Sequence, residues 1–148
     1  MKMLKGIPPI ISPELMKVLL EMGHGDEIVL ADGNFPSANC AKRIIRSDGH
    51  GVTKLLAAIL PFFPLDTYSE YSVSLMKVVD GDPIVPVIWE TYTNIIEQYE
   101  PGFSECEILE RFEFYERAKK AYAIVATSES ALYANIILKK GVVVQNEA

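Results

Sequence analysis

Short apolar runs that alternate with amphipathic segments most constrain the fold of this chain. Glu27–Ala31 and Tyr122–Thr127 are apolar along nearly their whole length, and polar residues that favour turns follow each run. Continuous runs of this kind are typical of strands buried on both faces, as in the parallel sheets of α/β proteins. The pattern therefore predicts an α/β fold, a single domain with a central, largely parallel or mixed sheet that is covered by helices.

The segments between these runs predict the remaining elements. Ser12-Pro13 marks the start of the first helix, because Ser is a good N-cap and Pro fits the first helical position. We expect Gly23 to end this helix as its C′ residue. The other predicted helices are Thr53–Leu60, Pro86–Gln98 and Arg111–Ala121, and the other predicted strands are Lys42–Arg46, Tyr71–Val79, Cys106–Glu110 and Ile136–Leu138.

Charge spacing supports the helix predicted over Arg111–Ala121. Glu113 and Arg117 are four residues apart, and so are Glu116 and Lys120. This spacing brings opposite charges together on neighbouring turns of a helix. The charge pattern is therefore typical of a helix.

Length and charge bound the classes of function. A chain of 148 residues is long enough for one domain with a substantial core, so we expect residues 1–148 to form one domain. An apolar fraction of 49% argues against disorder. The net charge of −6, without a cluster of Lys or Arg, excludes nucleic acid and anionic membranes as expected partners. The apolar runs are far shorter than the roughly 20 residues of a membrane-spanning helix.

Cysteine and histidine usage indicates a reduced, metal-free protein. Cys40 and Cys106 are too few for a disulfide framework, and no secretory signal stands at the N-terminus, so we expect a cytoplasmic location. Together with His24 and His50, these cysteines show no zinc-ligand spacing. The chain also lacks the phosphate-loop, dinucleotide-binding, GxSxG and HExxH motifs, so we predict neither a metal nor a cofactor.

Polar residues at strand ends predict a binding site. Asp32, Arg111 and the segment Ser128–Asn135 each follow a predicted strand, and ligands in open α/β sheets bind outside the carboxyl ends of strands. His24 precedes its strand, so sharing a site with Asp32 requires an unusual loop path or a neighbouring subunit. Simpler interpretations stay open at this point: Gly23–Asp26 as the turn after a helix, Asp32 as an ordinary strand end, and Arg111 as the partner of a carboxylate on its own helix.

Several longer strings extend this interpretation. Together they resemble the L-fucose mutarotases, relatives of D-ribose pyranase, in order over nearly the whole chain. The resemblance is densest in Glu110–Ala121, which reads ERFEFYERAKKA, and it is loose between Ser69 and Ser104. The other matching strings are Ser12–Leu15, Met22–Ile28, Ala31-Asp32, Asn34–Pro36, Pro64–Tyr68, Leu132–Ile136 and Leu138–Val142.

The resemblance implies an enzyme that interconverts the α and β anomers of L-fucose without a cofactor or a metal. It implies that His24 is the proton donor. It also implies a homo-oligomeric ring, a decamer in known members, with active sites near subunit contacts. The residues that it implies for holding the sugar are Asp32, Arg111, Tyr133, Ala134 and Asn135.

These residue types suit the chemistry, because every step of mutarotation moves a proton between oxygens. A histidine can give and take protons near neutral pH, and we expect Arg111 to keep Asp32 ionised. Two alternatives stay open: a non-catalytic sugar-binding subunit for transport or sensing, and a metal-dependent sugar isomerase. Ribose and galactose-like sugars remain alternative substrates. The sequence does not decide whether Tyr115 or Trp89 contacts the sugar, although packing of a helix on the sheet is the simpler role for Trp89.

Overall fold

Six strands form one mixed sheet, in the order β2-β5-β1-β6-β3-β4, in a computed structural model that describes residues 3–145. Residues 1–2 and 146–148 of the predicted domain lie outside the described part. Five helices accompany the sheet within that part. In chain order the elements are α1 (Pro13–Glu21), β1 (Glu27–Ala31), α2 (Ser37–Cys40), β2 (Ile44–Ser47), α3 (Val52–Ile59), β3 (Val73–Met76), α4 (Ile88–Tyr99), β4 (Glu107–Leu109), α5 (Arg111–Lys120), β5 (Ala123–Thr127) and β6 (Ile136–Lys139).

The direction of β6 decides which loops meet. β1 pairs in parallel with β5, β5 with β2, and β3 with β4, whereas β6 lies between β1 and β3 and is antiparallel to both. We call the edge where β1 to β5 end and β6 begins the carboxyl edge, and the opposite edge the amino edge. The residues just before β6 therefore reach the same edge as the residues just after β1.

Helices cover both faces of the sheet, as the apolar runs predict. Ile28 and Leu30 of β1 face a core that α1, α3 and α4 complete. Val29 and Ala31 face the opposite core, which α2 and α5 complete. Successive strand residues point to opposite faces, so a strand inside a three-layer fold needs an uninterrupted apolar run. The predicted α/β domain with a mixed sheet is confirmed.

The start of α1 is confirmed, but the glycine at its end does not close the helix in the way that was predicted. Ser12 Oγ accepts a hydrogen bond from the Leu15 backbone N–H at 3.1 Å. The helix ends at Glu21, and Met22 is its C-cap with an extended backbone, so Gly23 occupies the predicted C′ position but does not adopt the left-handed conformation. Instead, Gly23 N–H donates to Asp26 Oδ2 at 2.8 Å, and Gly25 makes the left-handed turn with φ +87°.

Two other details depart from the predictions. The short helix α2 was not predicted, because four residues are too few to show an apolar period. β3 covers only four residues of the nine-residue strand predicted over Tyr71–Val79, and Val79 N–H bonds to Tyr133 instead of to a strand. The strand Glu27–Ala31 has the predicted bounds, and the remaining predicted elements are present with shifted ends. None of the helices within residues 3–145 has the length and apolar character that crossing a bilayer requires.

The helix that the charge spacing predicts is present as α5, but the opposite charges four residues apart on it do not pair with each other. Arg117 turns toward the sheet, where its Nε and Nη1 each lie 3.1 Å from a carboxylate oxygen, one of Glu27 and one of Glu107. Glu116 pairs with Lys119 rather than with Lys120. Arg117 lies on the side of α5 that packs on the sheet, so its partners come from the strand starts rather than from its own helix.

Candidate functional site

A cavity of about 230 Å³ lies at the carboxyl edge, beside the ends of β1, β3 and β4 and the start of β6. It brings together four of the predicted sugar-binding residues: Asp32, Arg111, Tyr133 and Asn135. Ala134, the fifth, is buried behind them and does not line the cavity. The cavity also has an apolar wall and further polar residues, among them Phe35, Met76, Val79, Asp82, Tyr115 and Leu132.

Asp32 is the buried carboxylate of this cavity. Its side chain accepts a hydrogen bond from Asn34 N–H at 3.0 Å, and its backbone N–H donates to Asn135 Oδ1 at 2.7 Å. Burial raises the pKa of Asp32 above its ordinary value, although nearby backbone N–H groups, with that of Asn34 foremost, partly offset the effect. A carboxylate with a raised pKa is a better proton acceptor than an exposed one.

The expected ion pair between Arg111 and Asp32 is not found among the described residues. Arg111 is exposed at the start of α5, and its guanidinium lies over the Phe112 ring, 4.6 Å from the ring centroid. The expectation that Arg111 keeps Asp32 ionised is therefore wrong, because Arg111 is not among the groups that shift the pKa of Asp32, which burial raises. Arg111 still faces the cavity, where its guanidinium can donate to ligand oxygens.

The segment Tyr133–Asn135 is held in place by α4. Trp89 Nε1 donates to the Tyr133 carbonyl at 2.7 Å, and Tyr92 Oη donates to the Ala134 carbonyl at 2.7 Å. Tyr133 has φ +58°, a left-handed conformation that is uncommon for an aromatic residue. These contacts fix the backbone that carries the Asn135 amide. The interpretation of Trp89 as a packing residue is confirmed, and Trp89 does not line the cavity.

Two further side chains complete the cavity wall. Tyr115 lines the cavity and meets the Phe35 ring edge-on, with ring centroids 5.4 Å apart. Asp82 also lines the cavity, and the Tyr133 hydroxyl donates to its Oδ2 at 2.6 Å. Nothing in the sequence marks Asp82 as a residue of the site. No local signal could show this contact, because 51 positions separate the two residues.

His24 lies at the amino edge, in the loop between α1 and β1. Its side chain is 45% exposed, and its Nε2 lies 2.9 Å from Asp66 Oδ1. Burial alone would raise the pKa of Asp66, but hydrogen bonds from the Ser69 hydroxyl, His24 and backbone N–H groups outweigh burial and hold that pKa well below its usual range. An ionised Asp66 accepts the Nε2–H of His24, which leaves Nδ1 as the nitrogen that can face a substrate.

Asp66 was missed as a functional candidate. Its string Pro64–Tyr68 is one of those that carry the resemblance, but nothing in the sequence connects Asp66 to His24, which is 42 positions away. The Tyr68 ring packs near the imidazole, with centroids 5.1 Å apart. By contrast, His50 is exposed in a loop. Among the described residues, no group of three or more His, Cys, Asp or Glu side chains is arranged to hold a metal ion.

One chain does not bring His24 to the cavity. The five residues of β1 separate the two edges, and a strand of that length spans about 17 Å. A general acid must come within about 3 Å of the atom that it protonates. Within a single copy, the sugar-binding residues and the proton donor predicted from the resemblance are therefore too far apart to act on one sugar.

The chain is similar to known proteins over nearly its whole length. An L-fucose mutarotase of Haemophilus influenzae is 51% identical over 140 residues, which cover 95% of this chain and 97% of that protein. The crystal structure of the fucose mutarotase in complex with L-fucose from Streptococcus pneumoniae has a TM-score of 0.91 and 58% identity, with coverage of 95% and 100% of the two chains. The crystal structure of FucU from Bifidobacterium longum also has a TM-score of 0.91, with 52% identity and the same coverage.

A family model points the same way. The model of the RbsD / FucU transport protein family matches residues 5–143, which include both edges of the sheet. The match covers the His24 loop as well as the cavity residues at the carboxyl edge. By this match and by the identity to its relatives, the chain belongs to the RbsD / FucU transport protein family.

Proposed function

We propose that the protein is an L-fucose mutarotase, which interconverts the α and β anomers by opening and closing the sugar ring with acid and base groups alone. The observation that carries this proposal is the cavity at the carboxyl edge, where Asp32, Arg111, Tyr133 and Asn135 converge. The high identity to mutarotases, one of them bound to L-fucose, supports the choice of sugar.

The cavity residues suit a sugar with several hydroxyl groups. Asp32 accepts hydrogen bonds from hydroxyls, Arg111 donates to sugar oxygens, and the Asn135 amide combines a donor with an acceptor. Asn135 Oδ1 already accepts the Asp32 N–H, so its amide NH₂ is the group left to face a ligand. Tyr133 contributes an aromatic face. Ala134 acts through its carbonyl, which Tyr92 anchors, and so keeps its two neighbours in place.

The proton transfers balance without any further reagent. In this mechanism His24 starts as the imidazolium, with its Nε2–H bonded to Asp66. The Asp32 carboxylate takes the proton of the anomeric hydroxyl, while His24 delivers its Nδ1 proton to the ring oxygen and becomes neutral, and the bond between the anomeric carbon and the ring oxygen breaks. The open aldehyde rotates about its C1–C2 bond. Reversal of both transfers closes the ring on the other face of the carbonyl and restores both side chains to their starting states.

These two groups act on one sugar when two copies of the chain meet. We propose that the His24 loop of one copy covers the carboxyl-edge cavity of its neighbour, in a ring-like homo-oligomer of the decameric kind. The distance between the two edges of one copy supports this arrangement. Asp66 then holds the imidazole so that Nδ1 faces the neighbouring cavity. Sedimentation at micromolar concentration is expected to show a species many times heavier than the 16.5 kDa chain. An active monomer would contradict the shared site.

Anomer exchange is the direct test of the activity. Saturation-transfer NMR on equilibrated L-fucose is expected to show magnetisation passing between the two anomeric proton signals faster with the protein than without it. The same exchange should persist with a chelator. Broadening of the sugar signals without exchange would support the alternative, a non-catalytic sugar-binding subunit for transport or sensing.

The mutarotase proposal is favoured over that alternative by a specific feature. A binding subunit has no use for a histidine held by a buried carboxylate at a subunit edge, whereas a proton donor needs such support. We also propose the cytoplasm as the location, which the unpaired thiols Cys40 and Cys106 support.

A further inference from the structure

We propose that Asp82 is a positioning residue of the sugar site, which holds the Tyr133 ring against the bound sugar and does not contact the sugar itself. The inference rests on the proposed function, because it assigns a role within the same cavity. Asp82 Oδ2 lies 2.6 Å from the Tyr133 hydroxyl, a distance typical of a strong hydrogen bond to a charged acceptor. Neither the sequence patterns nor the resemblance assigns Asp82 a role.

The loop that carries Asp82 is built to present this carboxylate to Tyr133. Asp82 N–H donates to the Val79 carbonyl at 3.0 Å, and Asp82 Oδ1 accepts the Ile84 N–H at 3.2 Å. Gly81, with φ +88°, supplies the left-handed turn that this loop requires. One carboxylate oxygen is therefore occupied by the backbone of the loop, and the other is occupied by the phenol.

The Tyr133 hydroxyl is engaged on both sides. It donates to Asp82 and also accepts the Val79 N–H at 3.2 Å. At the other end of the residue, Trp89 Nε1 holds the Tyr133 carbonyl. With both ends anchored, Tyr133 offers a fixed ring face to the cavity rather than a mobile hydroxyl. Asp82 therefore determines the sugar-facing surface through Tyr133.

A direct contact between Asp82 and a sugar hydroxyl is the competing explanation, since Asp82 borders the same cavity. A double-mutant cycle separates the two explanations, because the losses of binding free energy from two substitutions that break the same hydrogen bond do not add. The variants are Asp82→Ala, Tyr133→Phe and the combination of both. The measurement is the dissociation constant of each variant for L-fucose.

We expect each single variant to weaken L-fucose binding roughly fivefold, the effect of one lost hydrogen bond. The double variant should bind L-fucose no more weakly than the weaker-binding of the two single variants. Asp82→Asn keeps an acceptor for the phenol and should restore most of the affinity. Asp80→Ala, at an exposed position on the same loop, is the matched control and should bind like the wild type. Additive losses in the double variant would overturn the proposal.

A second readout needs neither sugar nor activity. The hydrogen bond to Asp82 raises the pKa of Tyr133, and Arg111 is the positive charge near the same phenol. Asp82→Asn should therefore lower the pKa of Tyr133, as followed by tyrosinate absorbance in the difference between each protein and its Tyr133→Phe counterpart. An unchanged titration would overturn the positioning role. Failure of the wild type to exchange anomers would instead remove the proposed function and leave the titration result standing.

Discussion

Asp32 and Asp66 occupy opposite edges of the sheet, and each is only 6% exposed. Their pKa values nevertheless move in opposite directions. Burial dominates at Asp32 and raises its pKa, whereas at Asp66 hydrogen bonds from Ser69, His24 and the Tyr68 backbone overcome burial and lower it. Equal solvent exposure therefore does not give equal acidity. Asp32 lies deeper in the protein than Asp66, and Asp66 accepts hydrogen bonds from two side chains as well as from the backbone, so both burial and donors separate the two pKa values.

This difference fits two separate tasks. Asp32, with a raised pKa and a place in the cavity, is suited to accept a proton from a sugar hydroxyl. Asp66, kept ionised, is suited to orient the His24 imidazole. Cavity size does not distinguish the two edges, because a groove beside Asp66 also measures about 230 Å³. That groove is lined by carboxylates such as Glu70, Glu100 and Glu105, with no Arg or Lys among the described lining residues.

The largest expected effect is that of removing the proton donor His24 at the amino edge, which should slow the reaction without weakening sugar binding at the carboxyl edge. We expect His24→Ala to slow anomer exchange by about 10²-fold or more, the effect of losing a general acid. Sugar affinity should stay within a few-fold of the wild type, because the cavity is intact. His50→Ala is the matched control, as the chain has only these two histidines. The rate of anomer exchange and the sugar affinity of both variants, measured by NMR, test the assignment of His24 as the proton donor. Slow exchange in His50→Ala together with wild-type exchange in His24→Ala would contradict it.

Replacing each of the two carboxylates by a neutral amide should change the free energy of unfolding in opposite directions. Asp66→Asn is expected to lower the free energy of unfolding at pH 7 by about 1.5–3 kcal/mol, the range for hydrogen bonds to a charged group. Asp32→Asn is expected to raise it, because the wild-type protein must ionise a buried carboxyl that the fold prefers to keep protonated. Urea unfolding of both variants measures the difference.

The pH dependence sharpens the same comparison. The stability that Asp66 contributes is present above its ordinary pKa of 3.8 and is lost as the pH falls below that value. The penalty at Asp32 has the opposite sign: it appears as the pH rises from 3.8 through the raised pKa of Asp32. Unfolding measured between pH 3 and pH 8 should therefore show the two variants diverging from the wild type in opposite senses. If both variants instead followed the pH dependence of the wild-type stability, the opposite pKa shifts of Asp32 and Asp66 would be contradicted.

A smaller effect is expected at the support of the cavity. Trp89→Phe removes the N–H that bonds to the Tyr133 carbonyl, and an unpaired carbonyl costs about 1–3 kcal/mol. Part of this cost should appear as weaker L-fucose binding, because Tyr133 loses one of its anchors. Tyr99→Phe, at an exposed position on the same helix, is the control. Calorimetric titration with L-fucose measures the effect, and wild-type affinity in Trp89→Phe would show that Tyr133 needs no such anchor.

The smallest effect is expected at the start of the helix that leads to the His24 loop. Ser12→Ala removes the cap of α1 and should cost on the order of 1 kcal/mol of stability. Anomer exchange should be largely unchanged, because the cap is at the far end of the helix from His24. A loss of only a few tenths of a kcal/mol, measured by urea unfolding, would show that the cap contributes little.

Local signals in the sequence predicted most of the fold. Ser12 as a cap and Glu27–Ala31 as a buried strand are properties of short segments, and both are confirmed. The position of Asp32 at the carboxyl edge was also predicted, because Asp32 directly follows the strand Glu27–Ala31. Contacts between distant segments could not be predicted, such as the bond between His24 and Asp66 or the turn of Arg117 toward Glu27. Such pairs depend on packing, which one sequence does not show.

The central claim is that each active site joins the His24 edge of one copy to the Asp32 edge of another. It is tested most directly by co-expressing His24→Ala and Asp32→Ala chains in equal amounts and measuring anomer exchange. Each variant alone should be nearly inactive. In a symmetric ring assembled at random, half of the shared sites receive an intact His24 and, independently, half receive an intact Asp32. About a quarter of the sites therefore have both residues, and the mixture should recover about a quarter of wild-type exchange. A mixture no more active than the separate variants would contradict the account.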